Sequence, residues 1–430
     1  MKRFARSLCI AVVAISSATL AAQPLKSTAE RLREDPDRAA AVHHSYEYVA
    51  TPDTPAPAGY TPFYVSHYGR HGSRRSLGSN ATAAFEYLTK AKEAGILTPL
   101  GEQCLADVEK VTAEHEGMVG DLTERGGREH RAIAGRLYDR VPGVFAQRTE
   151  VDVQSSNIPR CLISMANFTD ELDNRAPQVR YHFITGQKYI DLLAHDYQDG
   201  QTVSRGSRRL QDSLLKVKFN PDRLIKSLFR GSAEAVAAVI DNPHRFCEKL
   251  YHAGGIDQCV ETGTQILTKY FTPEELLIQY EAYNVRCYVS MANSEEYGRN
   301  VLWAPAQGLL QDFIDRAEAA IRPESNRAAD LRFGHDTGIL PLAGLMGLEG
   351  PGDRMPALAA NPAWQAFERI PMASNLQLIF YRAGDDVPVL VKFLYNEQEV
   401  RIPTLKPISG PYYRWSDVKA WFEARISQYR

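Results

Sequence analysis

Apolar residues recur along the chain at two spacings, and the points where one gives way to the other mark its elements. Phe63-Tyr64-Val65-Ser66-His67-Tyr68, opened by Pro62, is rich in aromatics and predicts a strand that runs straight into Gly69-Arg70-His71-Gly72. Helical spacing follows over 81–94 and 101–118, breaks at Leu122-Thr123-Glu124-Arg125-Gly126, and resumes over 127–140. Val151 to Ser155 predicts a second strand, with Arg160 just beyond it and a helix over 161–173. Residues 205–300 are mostly helical in pattern, interrupted at Asn242-Pro243 and Gly254-Gly255, and a further helix covers about 305–321. Leu331 to Gly334 predicts a short strand that delivers His335-Asp336, and Thr337 to Met346 a helix. Leu376–Tyr381 and Val387–Tyr395 predict a hairpin turning at Ala383-Gly384-Asp385-Asp386.

Strands interleaved with long helices imply an α/β fold. The expected architecture is a doubly wound, mostly parallel sheet with helices on both faces, plus a smaller helix-rich cap. Residues 61–170 and 301–430 then form the α/β domain, 171–300 a helix-rich cap insertion, and 23–60 a polar arm laid over the surface. Ligands of such sheets sit beyond the carboxyl ends of the strands. Arg70-His71, Arg160 and His335-Asp336 all fall there.

The chain has 430 residues, 44% hydrophobic and 24% charged, with a formal net charge of -2. This excludes a disordered or fibrous protein and gives no global attraction for nucleic acid or an anionic membrane. Anion binding has to come from a local group of cations. Lys2, Arg3 and Arg6, the apolar run Leu8–Val13 and small residues to Ala22 predict an export signal over 1–22, cleaved near Ala21 or Ala22. A periplasmic or secreted protein follows. No stretch is long and apolar enough for a membrane span. Beyond the signal stand Cys104, Cys161, Cys247, Cys259 and Cys287; Cys247 and Cys259 are close enough for a local bridge. The absence of a C-x-x-C pair argues against a zinc or iron–sulfur centre of that type. Asn80-Ala81-Thr82 and Asn167-Phe168-Thr169 match glycosylation acceptors. No Gly-x-Gly-x-x-Gly turn follows the first strand, which removes a dinucleotide site.

The densest chemistry is Arg70-His71-Gly72-Ser73-Arg74-Arg75. Guanidinium forks match phosphate oxygens in pairs, and an imidazole becomes a nucleophile once its other nitrogen is held. The glycine lets the backbone come close to a bound oxyanion. A solvated basic turn is the bland alternative; placement at a strand end and a second cluster downstream speak against it. That second cluster is Phe333-Gly334-His335-Asp336-Thr337 at a helix start, where free N–H groups favour anions. Alone, Asp336 would read as a helix N-cap.

Together these residues resemble the histidine phosphatase superfamily, in its acid phosphatase and phytase branch. Arg70, His71, Gly72 and Arg74 meet the motif Arg-His-Gly-x-Arg-x-Pro, with Ser76 in place of the proline. His335-Asp336 meets the His-Asp motif, and Ser155 to Arg160 resembles the segment that carries a third arginine. The stretch from Ser66 to Arg74 resembles bacterial relatives of multiple inositol polyphosphate phosphatase. Many of those carry His-Ala-Glu, however, where His335-Asp336-Thr337 has the form of bacterial phytases and broad acid phosphatases.

The resemblance implies a phosphomonoester hydrolase that needs no cofactor or metal. His71 would attack phosphorus and become a phosphohistidine, Arg70, Arg74, Arg160 and His335 would hold the phosphoryl oxygens, and Asp336 would protonate the leaving alkoxide. Its partner is a phosphorylated small molecule, with phytate or another inositol polyphosphate first, and a sugar phosphate or a broad range of monoesters as the alternative. A silent binding protein is disfavoured by the presence of both His71 and Asp336. Arg75 reads equally as a contact for further phosphates and as a solvent-facing charge. Arg332 reads as a solvent-facing charge, and His67 as a packed or surface histidine. The sequence leaves the oligomeric state open.

Overall fold

The computed structural model describes residues 26–78, 80–193, 200–261, 263–297, 302–384 and 387–428; the expected export signal and Asp385-Asp386 of the hairpin turn lie outside them. Its strands are β1 (Thr61–Arg70), β2 (Glu150–Ser155), β3 (Arg180–Thr185), β4 (Arg327–Gly334), β5 (Asn375–Arg382), β6 (Leu390–Tyr395), β7 (Gln398–Val400) and β8 (Tyr413–Arg414). They form one sheet in the order β3-β2-β4-β1-β5-β6-β7, with β8 also on β6. The block β3-β2-β4-β1 is parallel, and β5 to β8 extend it antiparallel. The expected hairpin is β5–β6. The sheet is therefore parallel in only one half, because short connections after β5 can only make antiparallel neighbours.

The helices that matter below are α1 (Thr28–Glu34), α2 (Asn80–Glu93), α3 (Pro99–His115), α4 (Glu124–Arg140), α5 (Pro159–Arg175), α6 (Gly200–Lys218), α7 (Pro243–Gly254), α8 (Pro273–Met291), α9 (Trp303–Ile321) and α10 (Asp336–Met346). Side chains alternate across the strands and separate two cores. Val65, Val153, Leu331, Phe333 and Ile379 face α4 and α5. Tyr64, Tyr68, Leu376, Leu378 and Phe380 face α9, α10 and a broad helical layer. Residues of α2 and α3, such as Leu88 and Val108, share that layer with Leu224, Phe246 and Tyr251. β3 lies inside 171–300, the range read as helical insertion, so the helical stretch begins after it.

Packing on both faces also corrects smaller expectations. Arg332 is not solvent-facing: it is fully buried, with its Nε 2.7 Å from Asp312 Oδ2, its Nη1 3.0 Å from Ser66 Oγ and its guanidinium over the Phe313 ring. His67 is packed against Phe168 and Phe333. Cys247 and Cys259 are not bridged; both are free, buried thiols, as are Cys104, Cys161 and Cys287. Part of the arm goes inside: Ala39 to Val42 are buried, with Ala41 at a positive φ of 55°, whereas residues 47–53 are exposed. Among the described residues no helix is long and apolar enough to cross a membrane.

Candidate functional site

Register brings the motifs together. β1 and β4 run parallel with Arg70 opposite Gly334, and β2 pairs Ser155 with Phe333. The three strands end level, so His71, His335 and the turn leading to Arg160 leave the sheet side by side. The His71 amide donates to the Gly334 carbonyl at 3.0 Å. The imidazole rings of His71 and His335 lie edge to face with centroids 5.4 Å apart.

Each group has a defined state. His71 Nδ1 lies 3.0 Å from the Gly72 carbonyl, which can only accept, so Nδ1 carries the proton and Nε2 keeps its lone pair. Burial pushes the His71 imidazole well below its usual range, and Arg70, His335, Arg160 and Arg74 add to the effect. Both effects favour the uncharged imidazole. His335 Nε2 lies 3.0 Å from Arg160 Nη2; an arginine can only donate, so this nitrogen is an acceptor. Burial, then Arg160, depress His335 to about 4. Asp336 Oδ2 lies 2.9 Å from Arg70 Nη2. Burial alone would raise its carboxyl, but Arg70, His335 and Arg74 hold it below the usual aspartate value.

Arg70 is fully buried and braced by two carbonyls, Val42 at 2.8 Å and Ile370 at 2.7 Å from its Nη1. Arg74 is held through Nη1 to the Arg75 carbonyl at 2.9 Å, and burial with Arg70 and Arg160 pushes it down to about 10. Arg70 Nε, Arg74 Nε and Arg160 Nε are buried donors with no hydrogen-bond acceptor among the described residues. Such donors are costly unless an anion takes them.

Three of the loop's amides are taken by the protein itself. The amide of Gly72 donates to Ser164 Oγ, that of Ser73 to Glu129, and that of Arg75 to the Asp121 carbonyl. Gly72 serves a different purpose from the one expected. A Cβ there would come 2.5 Å from the Gly126 carbonyl oxygen, and one on Gly126 would come 2.2 Å from that of Ser73. The two glycines let the loop lie against the start of α4, which Thr123 caps by accepting from the Gly126 amide. Ser76, in the position of the motif's proline, makes its own turn, its hydroxyl donating to the Gly78 carbonyl at 3.1 Å.

Arg70, His71, Arg74, Arg160, His335 and Asp336 are thus brought together. Arg75 is not brought in with them; it bonds the carbonyl and carboxylate of Glu114. The sequence reading missed His43, from the arm. Burial pushes its imidazole well below the usual range, with Arg74, His252, Arg70 and Arg286 adding to this. Its ring centroid is 6.2 Å from that of Tyr283 on α8, which is 4.6 Å from His252 on α7. Nothing in Ala41-Val42-His43 marks it in the sequence, because the contact is made across the fold. One group of potential metal ligands exists among the described residues, Asp35, His44 and Glu47. Arg38 already occupies its charge, 2.6 Å from Glu47 and 3.8 Å from Asp35.

The model of one family, described as the histidine phosphatase superfamily (branch 2), matches residues 69–396. No curated protein sequence matches the chain. Among solved structures, the multiple inositol polyphosphate phosphatase of Bifidobacterium longum, in complex with inositol hexasulfate, is similar with a TM-score of 0.75 at 20% identity, over 89% of this chain and 97% of that one. The phytase from D. castellii gives 0.65 at 15% identity, over 91% and 86%. The Hafnia alvei phytase in complex with tartrate gives 0.55 at 13%, over 87% and 98%. Likeness at these identities establishes the fold.

Proposed function

The chain belongs to the histidine phosphatase superfamily, branch 2, and we propose that it is a phosphomonoesterase working through a phosphohistidine, on inositol polyphosphates first. One observation carries the reading. An imidazole whose Nδ1 is pinned stands beside a carboxyl group and among the buried guanidiniums of Arg70 and Arg74 and the half-buried one of Arg160, whose Nε donors lack acceptors among the described residues. A phosphoryl group supplies the missing acceptors, and arginines aimed at its equatorial oxygens stabilise the transition state. His71 Nε2 attacks phosphorus, the alkoxide leaves with a proton from Asp336, and water then attacks the phosphohistidine with Asp336 as base.

Further cations support a polyanionic substrate. Arg286 lies over the Tyr283 ring, bonds Gln211 at 3.1 Å and has no carboxylate partner among the described residues. A cavity of about 680 Å³ is lined by Arg208, Lys216, Arg245 and Lys249 against Asp212 and Glu248. A second reading, simple monoesters, is favoured by Leu77, which is 59% exposed. A Cβ on Gly120 would lie 2.8 Å from the Leu77 side chain and 3.5 Å from Arg160 Nη1, so an apolar lip adjoins the anion site. Phosphate release from phytate and from p-nitrophenyl phosphate, without added metal, separates the two. We expect phytate to give the higher kcat/KM; preference for the aryl ester by tenfold or more would favour the second reading. Export remains part of the proposal, carried by Lys2 to Ala22; a mature N-terminus near Gln23 would mark it.

An acidic optimum follows from the charge states. In the empty site His335 is neutral above about pH 4 and Asp336 is ionised. A bound phosphate ester places negative charge between them and raises both pKa values. The protonated acid therefore exists mainly in the complex, and lower pH favours it. With an alkyl phosphate, the basic limb of kcat should lie at higher pH than that of kcat/KM, because the second reports the free enzyme. A profile with its maximum above neutrality would contradict this.

A further inference from the structure

Glu129 on α4 is a buried carboxylate that the chemistry above does not use. Its Oε1 accepts from the Ser73 hydroxyl at 2.6 Å and the Tyr46 amide at 3.0 Å, and its Oε2 from the Ser73 amide at 2.7 Å. It has no ion-pair partner among the described residues; Arg125 and Arg128 of the same helix pair with Glu261 instead. Burial pushes its carboxyl up, against the pull of those hydrogen bonds. A buried charge compensated by hydrogen bonds alone is a poor source of stability, and such groups concentrate at functional sites.

The bonds of Ser73 show what the carboxylate holds. Its carbonyl accepts from the Thr123 amide at 2.9 Å and hydroxyl at 3.0 Å. Its hydroxyl gives its proton to Glu129, so the Ser45 hydroxyl, 3.0 Å away, must be the donor to it. Ser73 stands between His71 and Arg74. Ser45 and Tyr46 belong to the arm that brings the Val42 carbonyl to Arg70 and His43 to Tyr283. One carboxylate thus ties both sides of the site.

We propose that Glu129 is a positioning residue, which sets His71, Arg70 and Arg74 relative to one another by fastening the loop His71–Arg75 to the N-terminal arm. The inference rests on the reading of that loop as the phosphoryl-transfer loop. Misplacement by about 1 Å is enough to cost on the order of 100-fold in rate. Glu129→Ala should therefore lower kcat/KM on p-nitrophenyl phosphate by about 100-fold and weaken inhibition by inorganic phosphate by about tenfold. Glu129→Gln keeps one acceptor but turns donors toward its neighbours, and should fall between.

A stability control separates placement from folding. Asp330→Asn breaks a buried cluster with Arg316 and Arg327 deeper in β4 and should lower Tm while leaving kcat in place. In a double-mutant cycle, Ser73→Ala and Glu129→Gln together should cost less than the product of the two separate losses, because they share bonds. Glu129 variants that turn over within threefold of wild type where they are folded would overturn the proposal, as would an additive cycle. Should Glu129→Ala fail to fold, the Ser73/Glu129 cycle still decides. A wild-type enzyme without phosphatase activity would refute the phosphatase reading instead, which keeps the two failures apart.

Discussion

His71→Ala should abolish turnover, by about 10⁴-fold or more in kcat, while the protein still folds; loss of a covalent nucleophile costs on this scale elsewhere. The geometry selects His71 over its neighbour. His335 Nε2 is engaged by Arg160 Nη2, whereas among the described residues His71 Nε2 has no partner and its Nδ1 is pinned to the Gly72 carbonyl. The structural loss is small: one side-chain hydrogen bond and a buried ring, worth about 1–3 kcal/mol. Acid-stable and base-stable phosphoenzyme adducts differ, so rapid quenching of the wild type into alkali should trap a base-stable phosphohistidine. The variant should trap none. Turnover in His71→Ala above a hundredth of wild type, or a trapped adduct on another residue, would remove His71 from the role.

The site was legible in the sequence because its chemistry lies in two compact motifs, each just past a strand. Arg70 to Arg74 and His335-Asp336 could be named as one candidate site, and parallel register then carries one motif to the other. What surrounds them was not legible. The arm gives no periodic signal, yet Val42 braces Arg70 and His43 reaches Tyr283. Those contacts span the fold, and no local spacing encodes them.

Other misreadings have local physical causes. β3 is an edge strand whose residues are largely exposed, with Phe183 at 56%, so it lacks the buried stripe that marks a strand. Arg332 was taken for a surface charge, but both faces of β4 are covered, and alternation along such a strand points to two interiors. Cys247 and Cys259 are near in sequence, but Cys259 Sγ donates to the His43 carbonyl at 3.3 Å. Sequence distance says nothing about where a thiol is aimed.

Asp336→Asn should separate substrates by their leaving groups. An alkoxide leaves poorly without a proton, whereas p-nitrophenolate leaves unaided, and general acid catalysis contributes about 10²–10⁴-fold where it is needed. We expect hydrolysis of an alkyl phosphate to slow by about 10²–10³-fold and that of p-nitrophenyl phosphate by less than about tenfold. The substitution is nearly isosteric and keeps the Oδ1 that accepts from the Thr337 amide at 2.9 Å. Binding should move the opposite way. In the empty site the Asp336 carboxylate is ionised against Arg70, so it competes with an incoming phosphate for that guanidinium and repels it. Asparagine removes both effects, and inorganic phosphate should inhibit the variant more tightly than wild type. Slower turnover with tighter product binding is the mark of a lost acid within an intact anion site. Equal slowing of alkyl and aryl esters, or weaker phosphate binding, would assign Asp336 to holding Arg70 in place and leave the proton to another group.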